Sequence, residues 1–498
     1  MDGHQGGVPR MLGRREGEVV AGVDNRFHFF RGFPVTQILS ELHADDLLPA
    51  ILFRSSRKQC DEDIERLNGS KVGLVEREAR LRIEQKCNAV IEKYGIEREI
   101  IEEHPHYPAL LRTAAGAHHA GQLLQWRLLL EELMSGGLLR LMVATGTVAA
   151  GVDFPARSVI VTAHSRRGNE GFVDFSPSEF QQMAGRAGRR GKDSVGVCLV
   201  APGQFSDARV IHGLAHRPPD PLRSAYFAAP ATVLNLLKFR SVDDLRYTVE
   251  RSLAGFYDRK RAKELRRESE SMQSQLQANP LPVKELKKVE KRIRRTVRDA
   301  ERLELYQEIQ LELSLKGLRD LGHLDEQGLT EKGLWAAELC TSLVLHLAEA
   351  IEEGLFFERS ENELACLVGS IAGDGHRNYF SLAPNPVPKE AFQSLETVVE
   401  RVQHVYNGPT TASEIEVLPD GALTVHTWMH AENWSSFSSL LKLAGVAEGD
   451  AARLITQTAD HLHQLSRLRE SHPDLARTAY EARGILLRPP LSDSLITS

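Results

Sequence analysis

Cysteine is scarce in this sequence, and no two cysteines have the spacing of a zinc site. The five cysteines among 498 residues form no C-x-x-C pair, which argues against a zinc ribbon or a disulfide framework. No apolar run reaches the length of a transmembrane helix, and the N-terminus lacks the apolar core of a signal peptide. We therefore predict a cytoplasmic protein that has no membrane partner.

A general excess of positive charge is also absent. The chain has 62 Lys and Arg residues against 68 Asp and Glu residues, a net charge of −6. Its hydrophobic content of 42% and charged content of 26% are those of an ordinary globular protein with room for two to four domains. A nucleic-acid-binding protein with this balance must hold its basic residues in local clusters.

Strand and helix patterns alternate in the first part of the chain. Apolar runs near 50–55, 138–145, 158–163 and 194–200 predict strands, with amphipathic helix patterns between them. This alternation predicts a parallel sheet with helices on both faces. After the last strand the pattern is almost entirely helical. The predicted fold class is an α/β parallel-sheet domain followed by a mostly α-helical region.

Changes of composition divide the chain into five segments. Residues 1–32 are rich in glycine and charge and are predicted to be a poorly ordered remnant or linker, and 33–208 form the α/β domain. Short helices over 209–257 are compatible with a winged-helix unit. Two charged helix patterns over 258–312 predict an antiparallel hairpin. Residues 313–498 are predicted to form a helical bundle.

The most basic run, "KELKKVEKRIRRTVR", lies in the predicted hairpin. Its charges are interleaved with Leu286, Val289, Ile293 and Val297, which have the spacing of a helix packing face. We therefore favour a packed hairpin, and an RNA-binding arm is the alternative.

The stretch "QQMAGRAGRRGKD" places arginines among glycines. Arg186 and Arg189 are three residues apart and share one face of a helical turn, so two guanidinium groups can bind one terminal phosphate. Gly185 and Gly188 remove side chains that would keep the backbone away, and Gln182 can bind phosphate or an attacking water. This spacing suits an arginine finger. The alternative is a basic surface turn, and we expect either arginine to be partly solvated and its loss to leave stability nearly unchanged.

The stretch "VATGTVAAGVDFPAR" offers further candidate ligand-binding residues, at the end of a predicted strand. Its buried strand is predicted to end at Thr145, at the carboxyl edge where open α/β sheets bind ligands. Thr145, Gly146 and Thr147 offer hydroxyl and backbone N–H groups to a nucleic-acid phosphate. Gly151 and Asp153 lie in the next loop, where Asp153 could accept a ribose hydroxyl. A plain loop is the alternative.

Histidines cluster in the sequence at His104, His106, His118 and His119. No cysteine or carboxylate accompanies them at ligand spacing, so we predict no metal site. His118 and His119 are instead predicted to begin a helix at the sheet edge.

Together these segments resemble the superkiller-type (Ski-like) DExH-box RNA helicases of superfamily 2. "ILFRSSRKQCD" is similar to motif IV, "HHAG" to motif IVa, "VATGTVAAGVDFPAR" to motif V and "QQMAGRAGRRG" to motif VI, in the order of the family. The resemblance implies that 33–208 form a second RecA-like domain. It also implies roles for the residues singled out above: Arg186, Arg189 and Gln182 in catalysis, Gly151, Asp153 and Gly185 in nucleotide binding, and Thr145, Gly146 and Thr147 in RNA binding.

The helical half carries a weaker resemblance to the same family. Residues 209–257 are similar to its winged helix, and the region after 313 to its C-terminal helical domain. A helix at 449–468 is similar to the ratchet helix that contacts single-stranded RNA, with Arg453 on its polar face and Leu454 on its apolar face. An ordinary solvated helix face is the alternative.

Two parts of a complete helicase are missing from the sequence. It contains no phosphate loop of the form G-x-x-x-x-G-K-[ST] and no DExH box. We therefore expect a separate or upstream first RecA-like domain as a partner, and ATP with Mg²⁺ as the cofactor only in its company. The resemblance implies single-stranded RNA and an RNA-degrading complex as further partners. The alternative is a non-catalytic RNA- or partner-binding module.

Overall fold

A parallel sheet forms the centre of the first of two compact units. The computed structural model describes residues 33–149, 156–168, 171–189, 191–201, 203, 206–222, 224, 228–278, 282–406 and 415–492. The first unit comprises residues up to 220, residues 432–452 and residues from 489 onward, and the second comprises 221–431 and 453–488.

The sheet has five parallel strands in the order β2-β3-β1-β4-β7. Ala50 in β1 lies opposite Leu141 in β3 and Ser158 in β4. The strands are β1 (Ala50–Arg54), β2 (Ala115–His118), β3 (Leu141–Thr145), β4 (Ser158–Val161) and β7 (Val197–Val200), with β5 (Ser165–Gly168) and β6 (Gly171–Asp174) as a separate antiparallel hairpin. The predicted parallel sheet and the helical region after it are confirmed.

Helices cover both faces of the sheet. Side chains of each strand alternate between two apolar clusters: Ile51 and Phe53 belong to one, and Ala50 and Leu52 to the other. The helices of this unit are α1 (Val35–Ala44), α2 (Arg57–Asn68), α3 (Arg77–Tyr94), α4 (Arg98–Glu102), α5 (Tyr107–Thr113), α6 (Leu124–Ser135), α7 (Pro177–Ala184), α8 (Ala208–His216) and α19 (Trp434–Leu443).

The "HHAG" segment differs from its predicted structure. His118 ends strand β2, and the next helix, α6, begins only at Leu124. Alanine and glycine have low strand propensity, so the sequence AGAH gives little strand signal. A Cβ on Gly116 would lie 2.5 Å from Cδ2 of Leu130, so the small residues of β2 allow α6 to pack closely on this edge of the sheet.

The second unit is helical. Its helices are α9 (Pro230–Leu237), α10 (Val242–Glu250), α11 (Leu253–Ala278), α12 (Val283–Glu304), α13 (Tyr306–Asp320), α14 (Glu331–Ala336), α15 (Val344–Glu352), α16 (Glu361–Ala372), α17 (Lys389–Val405), α18 (Pro419–His430) and α21 (Pro473–Leu486), while α20 (Glu448–Leu465) begins in the first unit and ends in the second. Trp428 is buried in this unit, where its Nε1 donates to the Leu486 carbonyl oxygen at 2.9 Å. Among the described residues, no helix has both the length and the apolar character needed to cross a membrane.

Two long helices, α11 and α12, pack side by side in the second unit. They contain 26 and 22 residues, and a bidentate ion pair joins Arg266 to Glu304 with N–O distances of 2.8 and 2.5 Å. Ile293 and Ala300 of α12 are buried against this partner. The lysines and arginines of α12 are all exposed, so the basic run is compatible with packing and leaves its charges in solvent.

The segment 432–452 packs on the α/β domain although it comes from the C-terminal part of the chain. Gly449 N donates to the Gly121 carbonyl oxygen at 3.0 Å, and Arg57 pairs with Asp450 at 2.7 Å. A Cβ on Gly449 would lie 2.5 Å from the Ala120 carbonyl oxygen. Because these neighbours are backbone atoms, they cannot rotate away as a side chain can.

We expect Gly449→Ala to destabilise the protein by about 1–3 kcal/mol, the usual cost of overpacking. Thermal unfolding of the full chain measures this loss. Gly213→Ala in α8 is the matched control because a Cβ there meets no atom within 4 Å, and alanine favours a helix interior. Equal melting temperatures for the Gly449 variant and the unaltered chain would contradict the close contact.

Candidate functional site

Helix α7 positions the predicted arginine motif, and its start is fixed by a capping box. The Ser176 hydroxyl accepts from Glu179 N at 3.2 Å, and the Glu179 carboxylate accepts from Ser176 N at 2.8 Å. Pro177 occupies the first helical turn, where its missing N–H has no cost. The helix ends at Ala184 and is capped by Gly185, so the arginines that follow lie in a turn and not on α7 itself.

The carboxyl end of β3 lies against α7. Thr145 is the last residue of this strand, and its Oγ1 lies 3.0 Å from Oγ1 of Thr147. Gly146 and Thr147 are exposed in the short 3-10 helix Gly146–Ala149. A Cβ on Gly146 would be 3.8 Å from the sulfur of Met183. The predicted RNA-binding residues are therefore together, at the predicted edge of the sheet and next to α7.

Arg186 binds the segment that follows β3. Its Nε and Nη2 donate to the Ala149 carbonyl oxygen at 3.0 and 2.5 Å. Its own carbonyl oxygen accepts from Ala156 N at 2.9 Å, and Gly188 N donates to the Ala156 carbonyl oxygen at 2.7 Å. The two predicted motifs are thus joined by direct hydrogen bonds on both sides of residues 150–155.

Arg189 lies on a different side of the domain from Thr145. Its neighbour Gly188 is bound to Ala156, two residues before β4 begins at Ser158. Arg189 therefore lies toward the amino end of β4, whereas Thr145 ends β3 at the carboxyl edge. The candidate nucleotide contact and the candidate RNA contact therefore lie toward different edges of the sheet, and the last turn of α7, where Met183 lies next to Gly146, precedes the arginine turn.

The glycine of the arginine turn has a structural role of its own. The backbone of Gly188 has a φ of +93°, a conformation that residues other than glycine rarely adopt. A Cβ on Gly188 would also lie 3.1 Å from Cα of Gly196, next to β7. This packing requires glycine whether or not a phosphate binds, so the glycine spacing alone does not identify a nucleotide site.

Arg189 forms a bidentate ion pair with Asp193. Nε and Nη2 lie 2.8 and 2.9 Å from the two carboxylate oxygens, and Arg189 N donates to Oδ2 at 2.9 Å. These hydrogen bonds from Arg189 lower the pKa of Asp193 to about 2. The Asp193 side chain is only 6% exposed. The expectation that loss of Arg189 would hardly affect stability stays a prediction, and this ion pair argues against it, because removal of Arg189 leaves the Asp193 carboxylate without its partner.

The other predicted site residues lie on different elements of the structure or outside its described part. Gln182 is exposed on α7, and Gly185 is exposed at its end. Gly151 and Asp153 lie outside the described residues. Arg453 is exposed on α20 in the second unit.

The apolar side of α20 is buried and its polar side is largely exposed. Leu454, Leu462 and Leu465 are buried, as expected of an amphipathic helix. One polar residue has a structural role: Oε1 of Gln464 accepts from Cys340 N at 3.0 Å.

Three of the four histidines lie next to carboxylates that their spacing does not reveal, whereas Nε2 of His104 lies 2.7 Å from Gln122 Oε1. Nε2 of His119 lies 2.9 Å from Asp61 Oδ1, and Nε2 of His118 lies 2.7 Å from Glu131 Oε1. Burial lowers the pKa of His104 and His106, which favours their neutral forms. Among the described residues, no group of three or more His, Cys, Asp or Glu side chains is arranged to hold a metal ion.

Sequence reasoning missed the β5–β6 hairpin, which stands between β4 and α7. Phe172 and Val173 of β6 are 59% and 49% exposed. Arg166 in β5 pairs with Glu179 of the capping box at 2.8 Å, which ties this hairpin to the start of α7. Each of the two strands is four residues long and shows no apolar–polar alternation, which explains the weak sequence signal.

The C-terminal region matches a known family model. Residues 326–493, about a third of the chain, match the DSHCT (NUC185) domain. The chain is 34% identical over 230 residues to Superkiller complex protein 2 of Mus musculus, which covers 45% of this chain and 18% of that protein.

Two further relatives are a mycobacterial protein and a human protein. Over 238 residues the chain is 32% identical to Probable helicase HelY of Mycobacterium leprae, covering 46% of this chain and 25% of that protein. Over 222 residues it is 30% identical to Exosome RNA helicase MTR4 of Homo sapiens, covering 45% of this chain and 21% of that protein. The matched part spans a quarter or less of the length of each of these relatives.

Replacement of Asp193 tests the ion pair with Arg189. Because the pKa of Asp193 is about 2 in the folded state and 3.8 ordinarily, its ionisation stabilises the fold above about pH 4. This contribution is lost as the pH falls toward 2. We expect Asp193→Asn to lower the free energy of unfolding by about 1–2 kcal/mol at pH 7 and by roughly half as much at pH 3.

Urea unfolding at both pH values measures the difference between this variant and the unaltered chain. Glu84→Gln is the control, because Glu84 forms a more exposed i,i+4 pair with Arg80 at 3.0 Å. A loss for Asp193→Asn that is the same at pH 7 and pH 3 would contradict an electrostatic origin.

Proposed function

We propose, on the premise that this chain matches the C-terminal region of Ski-like superfamily 2 helicases, that it forms the arginine-bearing half of an ATP-dependent RNA helicase. In this proposal the chain hydrolyses ATP only together with a first RecA-like domain. It supplies Arg186 and Arg189 to the nucleotide and a surface at Thr145 to single-stranded RNA.

The connection between the two motifs carries the proposal. Arg186 is bound through its side chain to Ala149 and through its backbone to Ala156. Gly146, which follows Thr145, lies next to Met183 of the same helix, α7, that ends before Arg186. A shift of α7 caused by RNA at one side would therefore move the arginine turn at the other, which is the coupling that an RNA-stimulated ATPase requires.

The residues present fit the triphosphate in part. Arg186 is half-buried and Arg189 has a side chain that is 25% exposed, so both guanidinium groups can face a ligand that closes over them. Two arginines suit the charge of the phosphates. The described residues offer no carboxylate cluster for magnesium. In the proposal, the magnesium ligands and the phosphate loop come from the first RecA-like domain.

Arg189 would act by exchanging its acceptor. Its guanidinium group already holds two oxygens of Asp193 in bidentate geometry, and a phosphate presents oxygens with similar spacing. ATP, when bound, supplies the phosphoryl group that is transferred to water. Release of Arg189 from Asp193 would place its positive charge against the charge that develops on that group. Gln182, exposed one turn earlier on α7, would orient the water in this proposal.

RNA is the proposed polymer because the relatives' names include an RNA helicase and because the candidate residues suit a backbone contact. Thr145, Gly146 and Thr147 present hydroxyl and backbone groups at the end of β3. Such groups bind phosphate without reading sequence. Arg453 adds a positive charge on α20. An RNA-degrading complex is the proposed assembly, since one relative is named for the exosome, and the cytoplasm is the proposed location.

A non-catalytic RNA-binding module is the competing function. The Arg189–Asp193 pair favours it, because a guanidinium group that is already satisfied needs no nucleotide.

Lysine in place of Arg189 separates the two functions. We expect Arg189→Lys to lower kcat for RNA-stimulated ATP hydrolysis by about a thousandfold or more, measured with a first RecA-like domain supplied. Affinity for single-stranded RNA should stay within about twofold of the unaltered value, because Arg189 lies away from Thr145.

The control is Arg80→Lys, which alters another arginine with an i,i+4 carboxylate partner in the same unit. Hydrolysis that survives Arg189→Lys would refute the arginine finger. RNA binding without hydrolysis, in the presence of a competent first domain, would instead establish the non-catalytic module.

A further inference from the structure

Exposed aromatic side chains are concentrated in one stretch of the sequence of the second unit. Phe239, Tyr247, Phe256 and Tyr257 are 77%, 57%, 55% and 38% exposed. In the part of the chain that the structure describes, the other exposed phenylalanine and tyrosine side chains are three scattered residues, Phe172, Phe357 and Tyr480. Exposure of four aromatic rings within nineteen consecutive residues leaves apolar surface that a ligand could cover.

The same stretch is locally positive in an acidic protein. Residues 238–263 contain eight Lys or Arg residues and four Asp or Glu residues, a balance of +4, whereas the whole chain has a net charge of −6. This is the kind of local basic cluster that an acidic nucleic-acid-binding protein needs.

The rings and the charges meet where α10 joins α11. The Arg251 guanidinium carbon lies 4.3 Å from the centroid of the Tyr247 ring. The Phe256 and Tyr257 rings have centroids 5.5 Å apart. A Cβ on Gly255 would lie 3.3 Å from Arg259 Nη1 and 3.0 Å from the Glu250 carbonyl oxygen, so Arg259 stands beside the end of α10. We call Tyr247, Arg251, Phe256, Tyr257 and Arg259 the junction surface.

Three of the four acidic residues in 238–263 already have partners, and the fourth, Glu250, is exposed. Asp243 pairs with Arg246 at 3.0 Å, Asp244 caps α10 through Ser241, and Asp258 accepts from Gln307 at 2.8 Å. Within the described residues neither Arg251 nor Arg259 forms an ion pair with a carboxylate. Their charges are therefore available to an external anion.

We propose that the junction surface binds single-stranded RNA, with bases stacked on Tyr247 and Phe256 and phosphates held by Arg251 and Arg259. Flat exposed rings interleaved with arginines suit unpaired bases, whose faces are free, and do not suit a duplex, whose bases stack on one another. The net positive charge of this stretch favours a polyanion such as RNA over a protein segment that has few acidic residues. This inference rests on the proposed RNA-binding function and assigns it a third contact, in addition to Thr145 and α20.

Fluorescence anisotropy of the full chain with a labelled single-stranded oligouridylate tests the stacking. We expect Tyr247→Ala and Phe256→Ala each to weaken binding about tenfold, with little change in its salt dependence. Tyr247→Phe should bind as the unaltered chain does, because it keeps the ring. Tyr247→Leu should resemble the alanine variant, since leucine is apolar but cannot stack. Tyr480→Ala, at a ring 60% exposed on α21, is the matched control and should bind normally.

The arginines are tested by the salt dependence of the same titration. Arg251→Gln should lower the slope of log affinity against log salt by about 0.7, the value for one phosphate contact on a single strand. The corresponding change at Arg477, on α21, should leave the slope unchanged. All these side chains are exposed, and an unchanged melting temperature excludes misfolding as the cause.

The outcomes distinguish this inference from the proposed function. If the unaltered chain binds RNA and the Tyr247 and Phe256 variants bind equally well, the junction surface is not an RNA site and the proposed function stands; the surface then fits a protein partner. If the unaltered chain binds no single-stranded RNA, both are overturned. Weakened binding by Tyr247→Leu together with normal binding by Tyr247→Phe supports the stacking contact.

Discussion

The attachment of Arg186 to the segment after β3 is the contact on which the candidate site depends. Its guanidinium group binds the Ala149 carbonyl oxygen, and its backbone binds Ala156. These bonds hold the turn after α7 against the connection from β3 to β4. Because the strands are parallel, that connection must return from the carboxyl end of the sheet to the amino end. Arg186 thus connects the segment that follows Thr145, at the carboxyl end of the sheet, with the segment that precedes β4, at the amino end.

Arg189, the next arginine of the motif, binds a carboxylate and not the backbone. Arg189 is held by Asp193, with three hydrogen bonds to one carboxylate, and is not placed by the sheet. In the proposed function a phosphate must compete with that carboxylate, so the ion pair would lower the free energy gained when the phosphate binds. Arg186 is therefore suited to a structural role in the motif as well as a chemical one, and Arg189 to a role that changes with the ligand.

The second unit contributes helical surfaces whose charge is local. The cations of α12 are exposed around a packed face, and the junction surface places rings beside arginines. Neither feature follows from the net charge of the chain, which is negative. Surface chemistry of this kind is set by which side of each helix is buried, and hence by the helix contacts within the unit.

The sequence by itself determined the parallel sheet, because buried strands such as "AILFR" are continuous apolar runs separated by amphipathic helices. It also determined Thr145 as a strand end, since the apolar run stops there. Only the tertiary structure decided that β2 is a strand, because AGAH has little intrinsic preference and gains its order from β3 and α6. It alone decided that Asp61 meets His119 and that Gly449 packs on Ala120, since these contacts join residues far apart in the chain. The separation of Arg189 from Thr145 was likewise hidden, because spacing along a sequence does not say at which end of a sheet the chain returns.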